Sequence, residues 1–384
     1  MQFDGTASPR SLYIHWPFCP YKCSFCPFVA WVGHDNSMTR YHRALCEEIN
    51  RYADRVNRKL VIDTIYFGGG TPSTYPIHLL LDTFAILKNR FRLSPNVEIT
   101  LEVNPGTVTE QKMKAWADVG VTRLSIGVQS LNDKVLANLN RKHTAHDTQV
   151  AIELAGRYFS NVSVDLIVGL PGSDWDDWKK IVNKIESWPV THVSAYFLMV
   201  HEGTSLYFGV RRGRIDLPCD DTVVDMYQWG VERLKEFGFE QYEISSFAKE
   251  GCQSRHNKVY WKREPYQAFG LGACAFDGKV RYQNDKNLMN YMELIEQNKS
   301  VVAFHEVLTS EQVSLERIML KLRQTKGILI DDLLKEIPAE KQDKLLRVLQ
   351  QLQDKKLVEL HDKILTLTPA GLALHNGIVT ELSA

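Results

Sequence analysis

Three cysteines, Cys19, Cys23 and Cys26, are the residues of this 384-residue chain best equipped for chemistry. They form a Cys-x3-Cys-x2-Cys run just after a short apolar stretch, Leu12–His15. Three thiolates so close together can hold three irons of a [4Fe–4S] cluster and leave the fourth without a protein ligand, open to a bound molecule. Zinc is the competing reading. Structural zinc sites pair Cys-x2-Cys with a second ligand pair further along, and no such pair follows here.

A reactive loop needs a scaffold, and apolar strand-like runs alternate with helical patterns through the first half. The strands are expected at Leu12–His15, Val61–Phe67, Val97–Glu102, Arg123–Val128, Val162–Val168 and Val193–Leu198. Between them, helices are expected at Thr39–Arg55 with Thr39 as N-cap, Ile77–Arg90, Thr109–Val119, Asp133–Asn138, Thr144–Tyr158 and Asp174–Trp188. This repetition predicts an α/β fold, a partial (β/α)6 TIM-like barrel whose reactive groups sit at the carboxyl ends of the strands. The other informative residues fall there. The turn Phe67-Gly68-Gly69-Gly70-Thr71-Pro72 lets backbone approach a ligand with no Cβ in the way. Glu102, before Asn104-Pro105, could bind an ammonium or ribose hydroxyl, or cap the next turn. Gln129 ends the fourth strand, Arg141 follows it, and Asp165 interrupts an apolar strand. A lone carboxylate there needs a partner such as Arg141 or a ligand hydroxyl.

The cysteine triplet, glycine turn and strand-end acids together resemble radical S-adenosylmethionine (SAM) proteins. Nearly the whole chain resembles their HemN/HemW branch, and most of all its haem-binding members. The matching stretches are Tyr13-Ile-His15-Trp-Pro-Phe-Cys19, Gly68-Gly-Gly-Thr-Pro72, Glu102-Val-Asn-Pro, Gly127-Val-Gln129-Ser, Asp165-Leu-Ile-Val-Gly-Leu-Pro171, Tyr242-Glu-Ile-Ser-Ser-Phe-Ala248 and Arg255-His256-Asn257-Lys-Val-Tyr260-Trp261. The resemblance implies that Cys19, Cys23 and Cys26 ligate the cluster and that Tyr13, Gly69 and Glu102 contact the SAM bound to it. It implies that Phe25, Gly70, Thr71, Gln129, Arg141 and Asp165 line a pocket for a second SAM or a substrate. His256, Tyr260 and Trp261 form its HNxxYW element, associated with haem; an imidazole is a common axial ligand of haem iron, and Cys252 is an alternative thiolate. Trp16, Phe18, Phe25 and Phe28 are suited to excluding water from the loop, or to filling the barrel mouth.

The implied function is a haem chaperone that delivers haem to an acceptor protein, with flavodoxin or ferredoxin as electron donor. Two enzymes of the same branch compete with it: an oxygen-independent coproporphyrinogen III oxidase, and a methyltransferase using two SAM molecules on a tetrapyrrole or other large substrate. Cys26 is followed by Pro27-Phe28 and not by a further cysteine, which disfavours the oxidase. Pro27 where HemW-like chains usually carry Asp, and Cys274 where they carry a histidine, depart from the haem-binding pattern, and Cys26-Pro27-Phe28 resembles the methyltransferases and keeps them in view.

Composition sets the limits. Lys plus Arg and Asp plus Glu are each 46, so no overall charge draws the chain to nucleic acid or an anionic membrane. Seven scattered or clustered cysteines, no leader-like start and no apolar run long enough to span a bilayer predict a cytoplasmic protein. The expected division is a radical SAM core over 1–210, a connecting segment with HNxxYW over 211–299, and a mainly helical winged-helix-like domain over 300–384. The last has nearly balanced charge and no basic helix face, which favours a lid or docking role over nucleic-acid binding.

Overall fold

A computed structural model of the chain describes residues 9–56 and 60–383. The first half is a run of β/α units: β1 (Ser11–Trp16), α1 (Met38–Arg55), β2 (Val61–Gly69), α2 (Ile77–Arg90), β3 (Arg92–Val103), α3 (Glu110–Val119), β4 (Arg123–Gln129), α4 (Asp133–Asn138), α5 (Ala145–Tyr158), β5 (Val162–Val168), α6 (Trp175–Ile185) and β6 (His192–Phe197). These six strands are parallel and neighbour one another in chain order, as the alternation predicts.

Next come α7 (Ser205–Arg211), α8 (Asp220–Glu236), β7 (Glu240–Glu243), β8 (Ser246–Ala248), α9 (Arg255–Trp261) and β9 (Gln267–Phe269). They extend the sheet at both edges. β9 joins β1 in parallel, while β8 and then β7 add antiparallel beside β6, giving nine strands. A small antiparallel sheet follows, from β10 (Cys274–Phe276), β11 (Val280–Asn284) and, after α10 (Leu288–Glu296), β12 (Val302–Val307). It contains residues on both sides of position 300.

The strands alternate by residue, and the alternation separates two environments. Ile65, Phe67, Ile99, Leu101, Leu124, Ile126, Val164 and Leu166 pack with Leu45, Ile49, Phe84, Met113, Trp116, Ile152 and Val182 of the helices in one buried cluster. Each such side chain contributes about 1.5–3 kcal/mol by leaving water. The other face of the strands carries Thr64, Tyr66, Glu98, Thr100, Glu102, Arg123, Ser125, Ser163, Asp165, His192 and Ser194, a polar lining.

Helix starts follow their caps. Thr109 accepts from the Lys112 N–H, and Thr144 and Asp174 each form a reciprocal capping box with Asp147 and Asp177. Thr39 is not an N-cap. A short turn over Asp35–Ser37 runs straight into the helix, which starts at Met38, and Ser37 holds the cap position with no side-chain bond. β3 begins at Arg92, earlier than expected. Its first residues pair with Val61 and Ile62 before a register slip beside Pro95, whose missing N–H cannot serve a regular ladder.

The chain closes with α11 (Ser310–Leu322), β13 (Ile328–Leu329), α12 (Ile330–Glu336), α13 (Gln342–Asp354), β14 (Val358–His361), β15 (Ile364–Leu367), α14 (Pro369–Ala373) and α15 (His375–Ser383). Helix, strand, two helices and a two-stranded wing give the winged-helix-like arrangement. It has its own core, including Ile318, Leu322, Leu333, Leu349, Leu352 and Leu365. No helix among the described residues is long and apolar enough to cross a membrane.

Candidate functional site: a thiol loop on a polar barrel

The cysteine loop leaves β1 and is closed at its base, where Cys19 N–H donates to the Trp31 carbonyl at 2.9 Å and Trp31 N–H to that of Pro17 at 2.8 Å. The glycine turn after β2 is bound to the same base. Gly70 N–H donates to Trp16 at 2.8 Å and Thr71 N–H to Phe18 at 2.9 Å. A Cβ on Gly70 would lie 2.7 Å from the Pro17 backbone, so only glycine lets the two loops meet. Gly69 takes φ +119, and a Cβ there would strike the His15 ring at 2.6 Å.

The thiols converge on this junction. Cys19 Sγ lies 3.0 Å from Thr71 Oγ1. The Arg141 guanidinium reaches Cys23 Sγ at 3.6 Å while donating to the Gly127 carbonyl at 2.6 Å. Burial pushes the Cys19 thiol up to about 11, against the Thr71 hydrogen bond, and Cys26 and Cys23 raise it further. Burial also raises Cys26, opposed by Lys22. Among the described residues no three His, Cys, Asp or Glu side chains group closely enough to hold a single metal ion. Three thiols from one loop supply the three protein ligands of a cluster with an open iron, one short of the four that a structural zinc site uses.

The strand tips supply polar groups. Glu102 accepts from Tyr66 OH at 2.9 Å and from Gly69 N–H at 3.2 Å. Burial drives its carboxyl up to about 7, with Asp165 adding to the rise and Arg123 opposing it. The following turn is capped by Asn104, which accepts from Gly106 N–H, so Glu102 is left to face the site. Asp165 receives the Ser125 hydroxyl at 3.0 and 3.2 Å. Its direct partner is therefore serine and not Arg141, which acts on it only through space. Gln129 sits at φ +66, where the β4–β5 ladder slips. A non-glycine residue in that region is uncommon and often marks a functional site. Tyr13 stacks on Tyr66 with ring centres 6.1 Å apart and donates to His15 Nδ1 at 3.1 Å; His15 Nε2 in turn donates to the Val29 carbonyl at 3.0 Å. A carbonyl only accepts, which fixes that tautomer. Burial lowers His15 to about 4, so the ring is neutral.

The aromatics divide. Trp16 and Phe18 are core, with Trp16 stacked on Tyr75 at 3.7 Å. Phe25 packs on a small cluster of Val135, Leu139, Ile167 and Leu170, and only Phe28 stands out into solvent.

His256 does not fit an axial ligand in this conformation. It has no exposed surface, its Nδ1 meets Thr64 Oγ1 at 2.7 Å, and its Nε2 meets Tyr260 OH at 2.8 Å. Burial lowers it to about 3. Its ring stacks on Tyr66, and the N–H groups of Arg255 and His256 donate to Glu98 at 3.0 and 2.9 Å. The helix α9 thus plugs the polar lumen from below. Tyr260 packs edge-on against Tyr266, and Trp261 lies under the Arg323 guanidinium at 4.5 Å. Cys252 is half-buried.

Tyr66, Ser125, Ser194 and Arg123 are the site residues that motif reading misses. Arg123 is 2% exposed, its Nε has no partner, and its charge acts on Glu102, Asp165, His192 and His256. The period-two run of polar residues through β2 to β6 is the signal that would have found them.

A Radical SAM superfamily model matches residues 13–185, and a HemN C-terminal domain model matches residues 308–374. With a thiol loop at the carboxyl end of a parallel six-strand run, the chain is a radical SAM protein carrying a HemN-type C-terminal domain. It is 34% identical over 378 residues to the heme chaperone HemW of Bacillus subtilis (strain 168), covering 96% of this chain and 98% of that protein. It is 30% identical over 373 residues to heme chaperone HemW of Lactococcus lactis, covering 96% of both. The chain belongs to the HemW family. It also shares the fold of coproporphyrinogen III oxidase (HemN) from Escherichia coli, with a TM-score of 0.83 at 21% identity over 98% of this chain and 90% of that one. Membership of the superfamily implies a [4Fe–4S] cluster and SAM.

Proposed function

We propose that this protein binds haem and passes it to an acceptor protein, with SAM held at a [4Fe–4S] cluster in the barrel mouth. The near-full-length likeness to HemW carries this reading. Cys19, Cys23 and Cys26 would hold the cluster. Gly69 and Glu102 would take the SAM ammonium, with Tyr13 beside them. Phe25, Gly70, Thr71, Gln129, Arg141 and Asp165 would line a pocket for a second SAM or a substrate. Held by Cys19, Cys23 and Cys26, a cluster would supply one-electron reduction of a sulfonium that Gly69 and Glu102 hold by its ammonium group. The chain's own part is to orient SAM through Glu102, to place the Arg141 cation beside Cys23 Sγ, and to exclude water with Phe25 and its apolar neighbours. Flavodoxin or ferredoxin would give the electron, and the setting would be cytoplasmic. Axial ligation by His256 would require α9 to leave the barrel floor.

The polar strand tips, complete from Tyr13 to Asp165, favour one rival: an enzyme acting on a tetrapyrrole. Anaerobic reconstitution separates the two. Saturable uptake of one haem per chain, seen as a Soret shift, with no turnover supports the chaperone. Methyl transfer to a tetrapyrrole, or carbon dioxide release from coproporphyrinogen III, overturns it.

A further inference from the structure

A cavity of about 470 Å³ lies between the end of α9 and the C-terminal domain, well away from the thiol loop. Six basic residues line it against two acidic ones, Asp332 and Glu336. Four of the cations are neutralised: Arg263 by Glu316 at 2.9 Å, Arg317 by Glu336 at 3.0 Å, Lys335 by Asp332 at 2.8 Å, and Lys262 loosely by Glu264 at 3.6 Å. Lys321 and Lys326 have no ion-pair partner among the described residues. Burial, then the ammonium groups of Lys326 and Lys262, push Lys258 below the usual lysine range. Like charges crowded in this way gain most from an anion placed among them. Two further donors lie on or next to the lining, one on Arg263 and one on Trp261, the residue before Lys262. Arg263 Nη2 and Trp261 Nε1 are buried with no hydrogen-bond partner. The wall is not uniformly polar, since Ile328, Leu329 and Ile364 also line the cleft, and Leu329 and Ile364 are 47% and 37% exposed.

Paired cations beside an exposed aliphatic wall suit an apolar body with two acidic arms. A cavity of this size falls within the range of roughly 300–1,000 Å³ usual for small-ligand sites. We propose that this cleft seats the propionate edge of haem, with Lys321 and Lys326 meeting the two carboxylates and Ile328, Leu329 and Ile364 meeting the ring. This rests on the haem-binding reading. It places the propionate contacts just past the end of α9, apart from the buried His256.

The test titrates the full-length protein with ferric haem and with haem dimethyl ester, which lacks the carboxylate charges. It compares wild type with the double variant Lys321→Glu/Lys326→Glu, both positions being exposed. Haem affinity is expected to fall by about tenfold or more, two exposed ion pairs changing sign. The ester should bind both proteins alike, and added salt should weaken haem binding only to the wild type. Melting temperature checks folding and should change little, because the repulsion on Lys258 relieved at Lys326 offsets the attraction to Asp332 lost at Lys321. Equal haem affinity in both proteins overturns the cleft while leaving the haem-binding reading intact. Loss of binding to an acidic partner protein with haem affinity unchanged overturns it too, in favour of a protein-docking face. A wild type that takes up no haem overturns both readings together.

Discussion

In the proposed site, Glu102 is the residue whose charge state would govern the hold on the SAM ammonium group. Its carboxyl, ordinarily near 4.5, is lifted to about 7 by burial, so near neutral pH a large share of it is protonated and cannot attract an ammonium group. Raising the pH through about 7 ionises it, and SAM affinity at the reconstituted cluster should strengthen over that interval. Glu102→Gln should weaken binding by about tenfold and remove the pH dependence, as checked by equilibrium binding at pH 6 and pH 8. The same shift acts on stability with the opposite sense. A carboxyl that holds its proton more tightly in the folded state favours folding at low pH, and that advantage is lost as pH rises from about 4.5 to 7. Glu48, also lifted to about 7 by burial, adds to the trend. Residues such as Cys19 and Glu102 were legible because their types are rare at strand ends and their spacing is fixed. Tyr66 and Ser125 were not, because tyrosine and serine in a strand look like ordinary strand residues until their partners, Glu102 and Asp165, are placed opposite them.

At the level of elements, the site is a junction between two loops and a plug under a sheet. The junction depends on Gly70. Gly70→Ala should push the glycine turn off the Pro17 backbone, cost about 1–3 kcal/mol, and lower the iron and sulfide retained after reconstitution. Thermal melting with metal analysis measures both. The plug depends on His256. His256→Ala removes two hydrogen bonds and leaves a void, so the haem-free protein should lose about 2–4 kcal/mol in denaturant unfolding. An exposed ligand on a free loop would cost almost nothing, so an unchanged midpoint would refute the plug. The six β/α units could be read from periodicity alone. Among the elements hidden from such a reading were the short strands β7 to β9. Each has only three or four residues, too few for a pattern, and each forms because a sheet edge offers unpaired backbone groups. α9 was visible as a motif, but its burial follows from Glu98 and Thr64, which are distant in sequence.

Over the whole molecule, ion pairs tie the barrel side to the C-terminal domain: Arg263 and Arg281 reach Glu316 of α11, and a more deeply placed pair joins the two cores. Glu243, at the end of β7, is 1% exposed and lies 2.8 Å from Arg323, which follows α11. Beside it, Ile244 N–H donates to the Arg323 carbonyl at 3.1 Å, and the Ile244 side chain belongs to the C-terminal core. The barrel thus contributes a residue to the second hydrophobic cluster exactly where the charge pair is buried, a coupling that no local pattern in the sequence announces. Removing one partner of a buried pair leaves an uncompensated charge and costs about 3–5 kcal/mol, whereas replacing both with apolar groups is often neutral. Arg323→Ala should therefore melt the C-terminal domain ahead of the barrel and split one calorimetric transition into two. Glu243→Leu/Arg323→Met should restore a single transition. If Arg323→Ala still melts as one unit, the two domains are coupled through their apolar contact and the charge pair is incidental.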